Sequence, residues 1–265
     1  MKITQIVTLF LIVLLSHTYG ETGKRVVHPA VVEEHLGKYM PLNLTFKNSD
    51  GSNVILKDLI DKPTVIDFVY YRCTGICTPL MVEVADVINK VDLQPGKDYR
   101  IISISIDPNE TPALAAQKKN ELLSLVNKKI DPSSWDFLTG DSASISRAAS
   151  AAGFYYQKQG NTYLHKGVLI FIDKDGKICR YLRPGYNTRG DFSILPSEFK
   201  MAVMEAAQGQ VTQTIAKILE TCSTFIPKKR DMLVFSVIFL TGIFTIAGVL
   251  LIIKKTNLSN GRNKT

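Results

Sequence analysis

Short unbroken runs of Val, Ile, Leu and Phe alternate along this chain with segments whose apolar positions recur every three or four residues. Clusters of Pro, Gly, Asn and Asp separate the two. The first rhythm belongs to buried strands and the second to amphipathic helices. Residues 41–46 alternate apolar and polar, Asn48-Ser49-Asp50-Gly51 supplies a turn, and Val54-Ile55-Leu56 returns, which predicts a hairpin. Val65-Ile66-Asp67-Phe68-Val69-Tyr70-Tyr71 reads as a strand, 78–91 as a helix and 99–106 as a second buried strand, with Gln94-Pro95-Gly96-Lys97-Asp98 as the break between them. Asp107-Pro108 ends that strand. Residues 111–129 have helical spacing, 135–140 form a short strand, and 141–152 form a helix with an Asp or Ser cap. Phe154-Tyr155-Tyr156 leads into a polar loop, and 167–172 is a buried strand. Asp173-Lys174-Asp175-Gly176 is a hairpin turn, and the returning strand carries Cys179. A long helix is expected over 196–221. A βαβ unit early and a β-hairpin plus helix late is the order of a thioredoxin-like α/β fold, here with an N-terminal hairpin extension.

Both ends of the chain fall outside that pattern. Lys2 precedes the uncharged, apolar residues 6–15, and Ser16-His17-Thr18-Tyr19-Gly20 ends on a small residue, the layout of a secretory signal peptide over 1–20. Residues 232–253 carry no charged side chain and are flanked by Lys228-Lys229-Arg230 and Lys254-Lys255, the signature of a transmembrane helix. Those flanks are nearly balanced in charge, so the orientation rests on the N-terminal signal. Residues 21–226 are then the exported folded domain and 254–265 a cytoplasmic tail. The formal net charge is +8. Basic residues at the membrane flanks contribute to it, which implies contact with anionic lipid headgroups. Nucleic acid is excluded as a partner, because no basic stripe interleaved with aromatics occurs in the folded region.

The chemistry gathers at Tyr70-Tyr71-Arg72-Cys73-Thr74-Gly75-Ile76-Cys77-Thr78-Pro79, where the apolar strand gives way to a helix start. Thr78 offers an N-cap and Pro79 a first-turn proline. Unpaired N–H groups and the positive end of the helix dipole stabilise a thiolate there, the species that attacks disulfides and ligates soft metals. A purely structural disulfide between Cys73 and Cys77 would close too short a loop to constrain much of the chain. Nothing local pairs Cys179 with Cys222, which lies just ahead of the membrane segment. Of the 4 histidines, His17 lies in the signal and His28 and His35 in a polar lead, leaving His165 immediately before the strand 167–172. In a thioredoxin-like layout that loop lies beside the cysteine loop, so an imidazole there completes a two-sulfur, one-nitrogen set. Copper suits such a set, and zinc competes for it; a plain surface-loop histidine is the alternative. Asp107 is either a charge that tunes the thiols or an ordinary strand-end turn residue. Met81 is assigned to the helix's core face rather than to the site.

At these residues the chain resembles the Sco/SenC family of membrane-tethered, thioredoxin-like copper proteins. The matching pieces are Cys73-Thr74-Gly75-Ile76-Cys77, Ser105-Ile106-Asp107-Pro108, Trp135-Asp136-Phe137-Leu138-Thr139-Gly140, and His165 ahead of Leu169-Ile170-Phe171-Ile172-Asp173. The chain departs from the family where Thr74 and Thr78 stand in positions that often hold proline, and where Lys166 replaces a small residue; neither change removes a ligand. The resemblance implies that Cys73, Cys77 and His165 bind copper, and that oxidation to a Cys73–Cys77 disulfide withdraws two ligands at once. It implies a role in assembling the CuA centre of cytochrome c oxidase, with the CuA-bearing subunit as partner beside other copper chaperones or thiol-disulfide partners. It also implies a bacterial inner-membrane protein whose domain faces the periplasm or exterior. The competing reading is an enzyme, a membrane-anchored thiol-disulfide oxidoreductase that reduces a client cysteine pair. A peroxide reductase and a signalling sensor rank below both.

Overall fold

The computed structural model describes residues 30–213 apart from positions 74, 189 and 191. The expected signal peptide, membrane segment and tail, together with Cys222, lie outside the described residues. Among those described, no helix is long and apolar enough to cross a membrane.

The folded domain opens with the expected hairpin, β1 (Thr45–Lys47) against β2 (Asn53–Ile55), followed by a single helical turn, α1 (Leu56–Leu59). The centre of the molecule is β3 (Thr64–Val69), buried at every position. That burial is why the segment reads as a near-continuous apolar run rather than an alternating one. The helix α2 (Cys77–Lys90) crosses to β4 (Arg100–Ser105), and α3 (Pro112–Leu123) crosses to β5 (Trp135–Leu138); both new strands lie parallel to their predecessors. After α4 (Ser142–Ala151) comes an outlying hairpin of β6 (Gln157–Gln159) and β7 (Thr162–Leu164). The strand β8 (Leu169–Ile172) then pairs antiparallel with the free edge of β3, and β9 (Ile178–Leu182) pairs antiparallel with β8. The resulting sheet order is β5-β4-β3-β8-β9. A two-residue ribbon, β10 (Gly185–Tyr186) with β11 (Phe192–Ser193), precedes α5 (Pro196–Ala207), which packs on β8 and β9. This is the thioredoxin-like α/β arrangement, with the N-terminal hairpin as its extension.

Helix ends follow local chemistry. Thr111 caps α3 by accepting from the Leu114 amide, with Pro112 in the first turn, and Asp141 caps α4 by accepting from Ala143 and Ser144. In the core, Val65, Ile66, Phe68 and Val69 of the central strand are all buried. Burial of a side chain of that kind contributes roughly 1.5–3 kcal/mol. One polar chain runs through this apolar interior: the Trp135 indole donates to Ser103 Oγ at 3.0 Å, and Ser103 donates to Asp67 Oδ1 at 2.7 Å, directly across the β3–β4 ladder.

Four expectations are corrected. The helix expected over 111–129 ends at Leu123, and the one expected over 196–221 ends at Ala207. There Gly209 adopts a φ of 62°, and Thr212 then donates to the Cys179 carbonyl along β9, so the chain has left the helix. The polar loop after Tyr156 is the β6–β7 hairpin. Its strands are largely exposed, so no inward-facing apolar alternation marks them. Finally, α2 begins at Cys77 rather than after a Thr78 cap, and Ile76 takes the cap position with no side-chain hydrogen bond. The polar lead containing His35 is docked rather than loose. Glu33 donates to the Gly153 carbonyl at 2.8 Å, and a Cβ on Gly153 would lie 1.8 Å from the Glu33 oxygen.

Candidate metal centre

Two loops at one end of the sheet bring the chemistry together. The first leaves β3 at Val69 and turns over 70–73, where the Cys73 amide donates to the Tyr70 carbonyl at 3.1 Å. Cys77 is the first residue of α2, and the Thr78 hydroxyl donates back to the Cys73 carbonyl at 3.0 Å, joining the helix start to the turn. The expected cap is therefore a brace between the two cysteines. The second loop follows β7 and carries His165. Cys73, Cys77 and His165 are all buried. Their candidate donor atoms lie within 4.8 Å of one another, and Cys77 Sγ is 2.9 Å from His165 Nε2.

The imidazole's tautomer follows from its neighbours. Nδ1 lies 3.1 Å from the Lys166 carbonyl oxygen, which only accepts, so Nδ1 carries the hydrogen and the Nε2 lone pair faces the sulfurs. The ring is walled by aromatics, with its centroid 6.1 Å from Tyr70 and 5.8 Å from Phe154. The thiols are unequal. The Cys77 side chain donates to Cys73 and, against the penalty of burial, pulls the Cys73 thiol well below the ordinary cysteine range; the backbone amides of Cys77 and of Gly75, the latter 3.3 Å from Cys73 Sγ, add to this. Burial first, and then the neighbouring Cys73 sulfur, push the Cys77 thiol far up. Burial and the Cys73 sulfur also push the Tyr70 hydroxyl up to about 12, so it stays a donor. Cys73 is therefore the more acidic thiol of the pair and Cys77 the less acidic.

A cavity of about 620 Å³ opens beside His165, lined by Ile76, Lys166, Arg183, Tyr186 and Phe192 among others. Two sulfurs and one imidazole nitrogen at this spacing fit a soft metal ion, with Cys73, Cys77 and His165 as its holders. Met81 lies buried in the core. Cys179 is a buried free thiol in β9, pushed up to about 11 by burial. Asp107 makes its contacts at one remove from the donor atoms. Its Oδ2 accepts from Arg72 at 3.1 Å, and its Oδ1 accepts from Asn109 and, at 3.2 Å, from the Tyr163 hydroxyl. Sequence reasoning missed the aromatic wall and Glu110, since neither carries a local signal; only the fold brings them to the cysteine turn.

A thioredoxin-like domain with a cysteine pair at its first crossover helix and an imidazole converging from a second loop defines a class of thiol-based redox and metal-binding proteins. Within that class the chain belongs to the SCO1/SenC family, whose sequence profile matches residues 37–193. The SCO1 protein homolog of Bacillus subtilis (strain 168) is 32% identical over 162 residues, 57% of this chain and 80% of that protein. The crystal structure of a protein from Aquifex aeolicus VF5 proposed to transfer electrons superposes with a TM-score of 0.57 at 25% identity, covering 66% of this chain and 95% of that one. Arabidopsis thaliana ScoI, solved with copper bound, gives a TM-score of 0.49 at 23% identity over 62% of this chain and 96% of that one.

Proposed function

We propose that this chain is a membrane-anchored copper chaperone that binds copper through Cys73, Cys77 and His165 and assists assembly of the CuA centre of cytochrome c oxidase. The observation that carries the reading is the convergence of those three buried donors within 4.8 Å, with His165 lining a cavity, in a chain of the SCO1/SenC family. Thiolates favour Cu(I), and an added imidazole also accommodates Cu(II). In this reading Cys73 supplies a ready thiolate, Cys77 releases its proton on binding, and the Lys166 carbonyl fixes the ring so that Nε2 points inward. The aromatic wall and the burial of both sulfurs limit access by water. Export through residues 1–20 and anchoring through 232–253 would place the domain outside the cytoplasmic membrane of a bacterium, beside the CuA-bearing subunit, its proposed client.

The depressed Cys73 thiol also favours a second reading, a dithiol that reduces the client's cysteine pair. Mixing the copper-loaded, reduced protein with the cognate CuA-bearing subunit separates the two. Copper donation predicts that the subunit gains copper and that His165→Ala loses this transfer. If His165→Ala instead reduces an oxidised subunit as fast as the parent while the parent transfers no copper, the chain is a reductase.

A further inference from the structure

The turn that carries Cys73 leaves β3 with two consecutive amides, those of Tyr71 and Arg72, that receive a partner from neither the sheet nor α2. Both donate to one side chain. Glu110 Oε2 accepts from the Tyr71 amide at 2.7 Å and Oε1 from the Arg72 amide at 2.8 Å. Oε2 also accepts from the Ser105 hydroxyl at 2.7 Å, and the Arg72 guanidinium approaches Oε1 at 3.5 Å. The carboxylate is wholly removed from solvent. Such a buried charge persists only where hydrogen bonds satisfy it, and here every direction is used. Arg72 reaches on to Asp107, so the loop between β4 and α3 grips both the backbone and the side chain of the residue next to Cys73.

We propose that Glu110 is the positioning residue of the cysteine pair: its buried carboxylate holds the turn 70–73 in the dithiol arrangement, with Cys73 facing Cys77 and His165, and so favours the dithiol over the disulfide. Closing an S–S bond of about 2.05 Å requires the two free thiols to approach each other, and on this proposal the turn gives way against those amide hydrogen bonds as they do. The inference rests on reading Cys73 and Cys77 as a working pair, and it does not require copper.

The test equilibrates the metal-free full chain with glutathione buffers of graded ratio, quenches with an alkylating agent and counts free thiols by mass. Two thiols and one glutathione disulfide give one protein disulfide and two glutathione thiols: one S–S bond forms as another breaks, and both protons end on glutathione. Glu110→Gln keeps the shape but replaces one acceptor oxygen by an N–H donor. We expect its equilibrium to move about tenfold toward the disulfide, a shift of about 30 mV for a two-electron couple. Arg72→Ala, which removes an exposed side chain and leaves the amides in place, should move it the same way by about threefold. This variant carries the test if Glu110→Gln does not fold. Glu205→Gln, which breaks the Arg180 ion pair between α5 and β9, should lower the melting temperature and leave the equilibrium at the parent value. A folded Glu110→Gln with the parent equilibrium overturns the proposal. So does a parental value for Arg72→Ala, or a shift in Glu205→Gln equal to that of Glu110→Gln. Because no metal enters, a parent that fails to bind copper would leave this result standing and overturn only the chaperone reading.

Discussion

Asp67 shows how much a single buried group can govern. It faces inward on the central strand, with Oδ1 taken by Ser103 and Oδ2 without a partner among the described residues. Burial, only partly offset by the Ser103 hydrogen bond, raises its carboxyl from 3.8 to about 7. Between those values the folded chain keeps a proton that the unfolded chain has released, so stability falls as pH rises through the window, by roughly 4 kcal/mol in all. Asp67→Asn removes that dependence. Urea unfolding of the reduced protein should therefore show the variant gaining on the parent between pH 4 and 8, and a constant difference across that range would refute the assignment. At this scale the sequence was informative where chemistry is local. Cys73, Cys77 and His165 stand out by residue type and by their place at element ends. Glu110 does not, because it serves amides on a different strand's exit, and no spacing rule links an acid to a turn that distant in the chain.

Elements were legible in proportion to their burial. The strands β3, β4 and β8 are buried along nearly their whole length and appear in the sequence as apolar runs, so their existence and order could be read directly. The hairpin β6–β7 is exposed and was missed, although it is the element that delivers His165 to the site. The end of α5 was misplaced because residues beyond Ala207 remain compatible with a helix until Gly209. That helix is tied to the sheet by one buried ion pair, in which Arg180 Nη1 meets both Glu205 oxygens at 3.0 and 2.9 Å. Removing one partner of such a pair strands the other charge, at a cost of about 3–5 kcal/mol. Glu205→Ala should lower the unfolding free energy by that order in a denaturant titration. A change below about 0.5 kcal/mol, the scale of an ordinary surface substitution, would mean that α5 docks by apolar contact alone.

For the whole molecule, the fold does for the site what neither loop could do alone. The parallel β3–α2–β4 crossover puts the cysteine turn at the end of the central strand, and the antiparallel return through β8 brings the histidine loop to the same end. Two loops far apart in sequence thus meet as one buried donor set beside an open cavity. The sequence carried this topology through its strand and helix order, and it carried the three donors, while the braces that hold them became visible only in the assembled structure. The central claim is that these three side chains form one copper site. The most direct test is an anaerobic Cu(I) titration of the reduced protein and of His165→Ala against a chromophoric competitor. One equivalent bound by the parent, with affinity reduced at least tenfold in His165→Ala, is the result this account predicts. Equal affinity in the two proteins, or no binding in the parent, would contradict it.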